Sequence, residues 1–126
     1  MEISKEYEEI LFKLSMFEQH AKFIQQQLRT IEEDLIDLNS LYFGLDELKN
    51  SREKEILAQI GRGIFIRSKI LSEDLIVNVG GKSLVKKNIL ETKKIIKKQI
   101  ENLEEIKKNL ESELEEISSE VKKIVS

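Results

Sequence analysis

The chain has 126 residues, of which 40% are hydrophobic, 36% charged and 6% aromatic, and it contains no Pro, Cys or Trp. This length predicts a single domain over residues 1–126, and the lack of cysteine excludes disulfides, thiolate metal sites and a cysteine nucleophile. The 21 basic and 24 acidic residues leave a net charge of −3, which disfavours binding to nucleic acid or to an anionic membrane by bulk charge.

The first segment, residues 1–48, is predicted to form one helix. Its apolar residues recur in alternating steps of four and three, without Pro or Gly until Gly44. A repeat of 3.5 residues held over this length is typical of a helix that supercoils against a partner helix. The repeat comprises Ile3, Tyr7, Ile10, Leu14, Phe17, Ala21, Ile24, Leu28, Ile31, Leu35, Leu38, Tyr42 and Leu45.

In the middle segment, residues 54–87, the period of the apolar residues changes to two. This alternation predicts four short strands, and the turns at 61–63 and 80–82 contain glycines, so the segment reads as two successive β-hairpins. Isolated hairpins are marginal in water, and we therefore expect them to join hairpins of other subunits in an oligomeric β-barrel platform. The predicted oligomer interface is Ile56, Ile60, Ile64, Ile66, Ile70, Ile76, Val77 and Val79.

The last segment, residues 88–126, is predicted to be a second heptad helix that returns along the first. Asn88, followed by Glu91, has the spacing of a helix N-cap, and Lys93 and Lys107 interrupt the apolar repeat. The predicted fold is therefore α+β: a long antiparallel two-helix coiled coil with two central hairpins. Both termini would lie at the far end of the coil, and the off-repeat Ile36, Leu41, Phe43, Leu90 and Ile95 would pack against the strand platform.

Apolar residues outside the heptad repeat near the far end of the coil form a candidate contact surface. Leu11, Phe12, Met16 and Phe23 occupy positions e, f, c and c of the first helix, and f and c face solvent in a two-helix coil. The alternative is that they are ordinary surface residues, or that Leu11 widens the seam. Ile117, Ile124 and Val125 of the second helix are further candidates where the last turns fray, although seam packing is the better interpretation of Ile117 and Ile124.

Catalytic, metal and cofactor sites are not predicted. Gly61-Arg62-Gly63 precedes a strand rather than a helix, unlike a phosphate-binding loop, and His20 is the only histidine. The chain is therefore not expected to be an enzyme. A lysine cluster leaves nucleic-acid binding as a weaker alternative, but it lacks aromatic residues for stacking and is interleaved with glutamates. That cluster is Lys86, Lys87, Lys93, Lys94, Lys97 and Lys98.

The predicted location is the cytoplasm, without membrane contact. The first residues do not show a basic segment followed by an apolar one, and no apolar run approaches the length of a membrane span.

A heptad helix, two glycine-turned hairpins and a returning heptad helix resemble the alpha-type subunit of the archaeal prefoldin family. The resemblance is most specific in residues 56–66, 75–82 and 86–88. It implies a hetero-hexamer of two alpha-type and four beta-type subunits, with the hairpins in a double barrel. It also implies an ATP-independent chaperone that holds unfolded proteins at the coil tips and passes them to a group II chaperonin. The client-binding residues would then be the apolar candidates near the far end of the coil: Leu11, Phe12, Met16, Phe23, Ile117, Ile124 and Val125. The alternative function is a structural coiled-coil spacer or a filament-forming scaffold that does not handle clients.

Overall fold

The computed structural model describes residues 2–126, with side chains from Ser4 onward. The elements in chain order are helix α1 (Glu2–Gly44), strands β1 (Glu55–Gly61), β2 (Ile64–Lys69), β3 (Leu75–Gly80) and β4 (Ser83–Lys87), and helix α2 (Ile89–Val125). The α+β fold class with two hairpins between two helices is confirmed. Among the described residues, no helix is both long enough and apolar enough to cross a membrane.

Helix α1 ends four residues before the end predicted for it. A 3₁₀ turn, Leu45–Leu48, follows Gly44, and Lys49 then adopts an extended conformation. Glycine has a low helix propensity, and a tightened last turn is common at helix ends. The turn buries Leu45, the last residue of the predicted apolar repeat.

The described chain forms two compact units. The first unit holds residues 2–36 and 101–126 and contains the N-terminal part of α1 and the C-terminal part of α2. Its buried apolar residues are Ile24, Ile31, Leu35 and Ile117, all from the predicted repeats. His20 lies 3.2 Å from Glu113, and Glu32 lies 3.9 Å from Lys107, so the two helices run antiparallel as predicted.

The second unit, residues 37–100, contains the hairpins and the helix ends that flank them. Leu45, Ile89 and Ile96 form its buried core, and partly buried apolar residues pack against this core: Leu38, Tyr42, Leu48, Leu75 and Ile100. The start of α2 is capped as predicted, because the Asn88 side-chain oxygen accepts a hydrogen bond from the Glu91 N–H at 2.7 Å.

The four strands form two separate antiparallel pairs, hairpin 1 (β1 and β2) and hairpin 2 (β3 and β4). Arg62 and Gly63 connect hairpin 1, both with positive φ, which is the backbone of a type I′ turn; in hairpin 2 the first connecting residue, Gly81, has φ 59°. In each hairpin the register shifts just before the turn, which leaves Ile60 or Val79 as an extra residue at a β-bulge.

Two expectations about apolar residues are not met within the single chain. Tyr7 belongs to the predicted repeat but is 62% exposed. Of the off-repeat residues in the second unit, Leu41, Phe43 and Leu90 are exposed and Ile95 is partly buried, so their packing against strands is not seen within one subunit. Leu75 is the strand residue that packs against the helix core.

Lys93 occupies a seam position, where neighbouring side chains balance its positive charge. Its ammonium group lies 3.0 Å from both carboxylate oxygens of Asp46 and 4.4 Å from the centre of the Tyr42 ring. The hydrogen bond from Lys93 is the largest cause that lowers the pKa of Asp46 from its usual 3.8, and the hydrogen bond from Lys49 is the second. The charge is therefore balanced by an ion pair and a cation–π contact between the helix ends.

We predict that Asp46→Asn lowers the melting temperature at neutral pH. A carboxylate whose pKa is lowered by folding stabilises the folded chain above its unfolded pKa, and this stabilisation is lost as pH falls through the lowered pKa. Circular dichroism melts should therefore show a gap between wild type and variant that closes below about pH 3.8. Asp37→Asn, an exposed aspartate of α1, is the control. A gap that stays constant across this range would contradict the ion-pair role.

Candidate functional site

The start of α1 presents the predicted client-binding side chains to solvent. Phe12 is 67% exposed and Met16 53%, and Leu11 and Phe23 are exposed as well. The heptad explains this, because the helix turns its a and d positions toward α2 and leaves c, e and f outside. The exposed Tyr7 and Ile10 enlarge this apolar surface beyond the predicted residues. Residues 4–23 and 117–126 of the first unit are called the tip below.

The predicted client-binding residues of α2 differ in their exposure. Ile117 is buried, Ile124 is partly buried and Val125 is exposed. Ile117 and Ile124 lie at seam positions, where they pack toward α1, and Val125 lies beside the seam. Of these three side chains of α2, Val125 is therefore the one that is freely accessible to solvent.

A groove of 620 Å³ follows one flank of the tip between the two helices. Its floor is made of partly buried or buried apolar residues from both helices, and its rim carries Glu18, Gln25 and Lys122. The floor residues are Leu14, Phe17, Ala21, Leu114, Ile117 and Val121. Such a surface can bind apolar chain segments without covalent chemistry.

The charges around the tip are solvated. Glu18 and Lys22 form an exposed ion pair at 3.3 Å, and the sole histidine, His20, contacts Glu113. Exposed pairs of this kind contribute about 0–1 kcal/mol. The apolar side chains are therefore the distinctive chemistry of the tip.

Hairpin 1 has two chemically different faces. Paired residues share a face of the hairpin. The pairs Ile56 with Ser68 and Ala58 with Ile66 define an uncharged side, and Ile64 lies on the same side by alternation along β2. We name this side the apolar face. The opposite side, the mixed face, holds Glu55, Leu57, Gln59, Phe65, Arg67 and Lys69. Burying the mixed face in a barrel interior would desolvate three charges, so only the apolar face is suited to that interior.

Hairpin 2 also divides its apolar side chains between two faces. Val77 pairs with Val85 on one side, whereas Ile76 pairs with Lys86 on the other. The predicted oligomer interface included both Ile76 and Val77, and these side chains point in opposite directions. Ile70 and Val77 are partly buried, and the other predicted interface residues are exposed in the single chain: Ile56, Ile60, Ile64, Ile66, Ile76 and Val79.

Comparison with known proteins identifies the family. A family model described as Prefoldin subunit matches residues 17–126. The chain belongs to the prefoldin family. Prefoldin subunit alpha of Methanosphaera stadtmanae is 30% identical over 96 residues, which cover 76% of this chain and 70% of that protein. Prefoldin subunit alpha 1 of Thermococcus kodakarensis is 29% identical over 101 residues, covering 79% of this chain and 69% of that protein.

The prefoldin fold is also seen in a solved structure. A chain in the cryo-EM structure of filamentous PFD from Methanocaldococcus jannaschii superposes with a TM-score of 0.81 at 16% identity, and the match covers 90% of this chain and 95% of that one. Because its relatives are alpha subunits from archaea, the chain is an archaeal alpha-type prefoldin. Membership of this family supports a role as a chaperone subunit.

The prefoldin match begins after much of the tip. Leu11, Phe12 and Met16 precede the matched residues 17–126, whereas both hairpins and α2 lie within them. The role of these three residues therefore rests on their exposure in this chain. Sequence reasoning missed Tyr7 and Ile10, because both continue the heptad repeat, which assigns them to the seam. The predicted sites also omitted three exposed apolar residues of the hairpins. Leu57 and Phe65 lie on the mixed face of hairpin 1, and Leu84 lies in hairpin 2.

We predict that the double substitution Ile64→Ser and Ile66→Ser lowers the mass of the assembled particle. Both residues lie on the apolar face, and each loses about 1.5–3 kcal/mol of burial energy if another subunit covers it. Light scattering coupled to size-exclusion chromatography measures this mass. The matched control is Gln59→Ser on the mixed face, which should leave the mass unchanged. Equal masses for wild type and the double variant would exclude this face from the interface.

Proposed function

We propose that the chain is the alpha-type subunit of a cytoplasmic hetero-hexamer with two alpha-type and four beta-type subunits. Its hairpins join those of the other subunits in a shared barrel. The complex holds unfolded proteins at its helix tips without ATP and passes them to a group II chaperonin. Family membership supports the chaperone role, and the geometry of this chain supports the assignment of client binding to the tip.

The observation that carries the proposal is the exposed apolar surface at the start of α1. Phe12 and Met16 protrude among solvated charges, and neither is needed for the helix seam. A methionine has a flexible and polarisable side chain that adapts to differently shaped partners. An aromatic ring next to it supplies a large apolar contact. Together they suit clients that share exposed apolar groups but no sequence.

Weak binding at each tip agrees with release that needs no nucleotide. Burying one or two such side chains contributes only a few kcal/mol, before the entropy cost of association is subtracted. Several tips on one complex raise the overall affinity by a factor of roughly 10²–10⁴ through effective concentration. Because each contact is weak, a client can detach from one tip at a time while a chaperonin competes for its apolar groups.

We predict that the double substitution Phe12→Ser and Met16→Ser weakens client protection without disturbing assembly. Suppression of aggregation of a chemically denatured client, followed by light scattering, should then need on the order of tenfold more complex. Particle mass should equal that of wild type, since neither side chain lies in the seam.

The matched control for this test is Ile36→Ser. Ile36 is equally exposed on the same helix, 24 residues from Phe12, or about 36 Å along the axis. Its substitution should leave protection intact. Unchanged protection by the Phe12 and Met16 variant would defeat the assignment of clients to the tip.

A filament-forming scaffold is the second candidate function. It is favoured by one observation, the superposition on a chain from a structure titled filamentous PFD. We predict that mixing the chain with a beta-type prefoldin partner gives one discrete mass, that of six subunits. Native mass spectrometry, with the chain alone as the reference sample, makes this measurement. A series of open-ended masses would support the scaffold and contradict the hexamer.

A further inference from the structure

The mixed face of hairpin 1 places two exposed apolar side chains beside two cations. Leu57 is 66% exposed and Phe65 53%, and their positions in the register make them diagonal neighbours. Arg67 pairs directly with Leu57 on the same face, and Lys69 follows at the next position of that face. The four side chains therefore form one continuous surface, and Glu55, which pairs with Lys69 in the register, lies at its end.

The two cations of this surface are free of intramolecular ion pairs. Among the residues that the structure describes, no carboxylate lies within ion-pair distance of Arg67 or Lys69. On hairpin 2, by contrast, the cation Lys86 lies 3.3 Å from Asp74. Arg67 lies opposite Leu57, whereas Lys69 lies opposite Glu55 without forming an ion pair with it. Arg67 therefore gives the mixed face an attraction for carboxylates that the corresponding face of hairpin 2 lacks.

We propose that Leu57, Phe65, Arg67 and Lys69 bind a partner-protein segment in which carboxylates alternate with apolar side chains. The guanidinium of Arg67 offers a planar pair of donors that matches one carboxylate, and Lys69 supplies a second positive charge. Leu57 and Phe65 supply the apolar area. This proposal rests on the proposed function only in that assembly through the apolar face leaves the mixed face outside.

The composition of the mixed face distinguishes this partner from another prefoldin subunit. A subunit interface inside the barrel would have to bury Glu55, Arg67 and Lys69, and this is costly above all for Arg67, which has no carboxylate opposite it. A peptide that brings its own carboxylates satisfies both cations. It can do so at a face that stays partly solvated, as interface rims commonly are.

The test uses the complex assembled from this chain and a beta-type prefoldin partner. The probe is a short fluorescein-labelled peptide in which glutamate alternates with leucine, and binding is measured by fluorescence anisotropy at low and high salt. We expect binding that weakens with salt and that falls by about tenfold or more in each of two double variants. These variants are Arg67→Glu with Lys69→Glu, and Leu57→Ser with Phe65→Ser.

Three controls isolate the mixed face. Leu84→Ser alters the equivalent face of hairpin 2, Phe12→Ser with Met16→Ser alters the tip, and a peptide with lysine in place of glutamate tests charge. The two control variants should bind the acidic peptide like wild type, and the lysine peptide should not bind. Equal loss in the tip variant would mean that the peptide binds as a client, which overturns the proposal.

Two further results would overturn the proposal. They are unchanged binding by the Arg67 and Lys69 variant, and a loss of particle mass in that variant, which would make the mixed face a subunit interface. Failure of the proposed function is separate, because it is detected as unchanged client protection in the tip variant or as a mass that differs from a hexamer.

Discussion

Two-stranded sheets have no interior, and this constraint determines what the middle of the chain can do. Each hairpin exposes β-branched side chains that a single chain covers only in part, as the exposure of Ile64 and Ile66 shows. The apolar face of hairpin 1 needs a second layer of protein to cover it and exclude water. The strands pair only within their own hairpin, and Ile64 and Ile66 stay exposed in the single chain. Other subunits are therefore the source that we propose for this layer.

The helices differ from the hairpins, because each helix packs its apolar residues against the other helix of the same chain. Ile24 and Ile31 are buried by the antiparallel pairing in the first unit. Near the chain ends this pairing gives way, and Tyr7 and Ile10 become exposed although they continue the same repeat. The end of this coil therefore exposes apolar side chains even at positions that belong to the seam. Phe12 and Met16 add to this surface from positions that never face the seam.

Periodicity predicted the elements well, because it reflects how each backbone turns its own side chains. The change from a period of 3.5 to a period of two located all four strands, and Asn88 marked the start of α2. Periodicity could not show what lies opposite a side chain. Phe43 and Leu90 are apolar and lie near the strands in sequence, but the structure leaves them exposed. The face of Ile76 was ambiguous for a related reason, since three successive apolar residues, 75–77, fit either alternation.

Charges resolve what apolar alternation leaves open. Lys93 interrupts the seam in the sequence, yet Asp46 and Tyr42 surround it in the structure, so the interruption becomes a specific link between the helix ends. The same logic separates the faces of hairpin 1. Ile66 and Phe65 are adjacent and almost equally exposed, but Phe65 shares its face with Arg67 and Lys69 and Ile66 does not. An unpaired charge costs more to bury than an apolar group costs to expose, and for this reason we propose that assembly covers Ile66 and leaves Phe65 accessible.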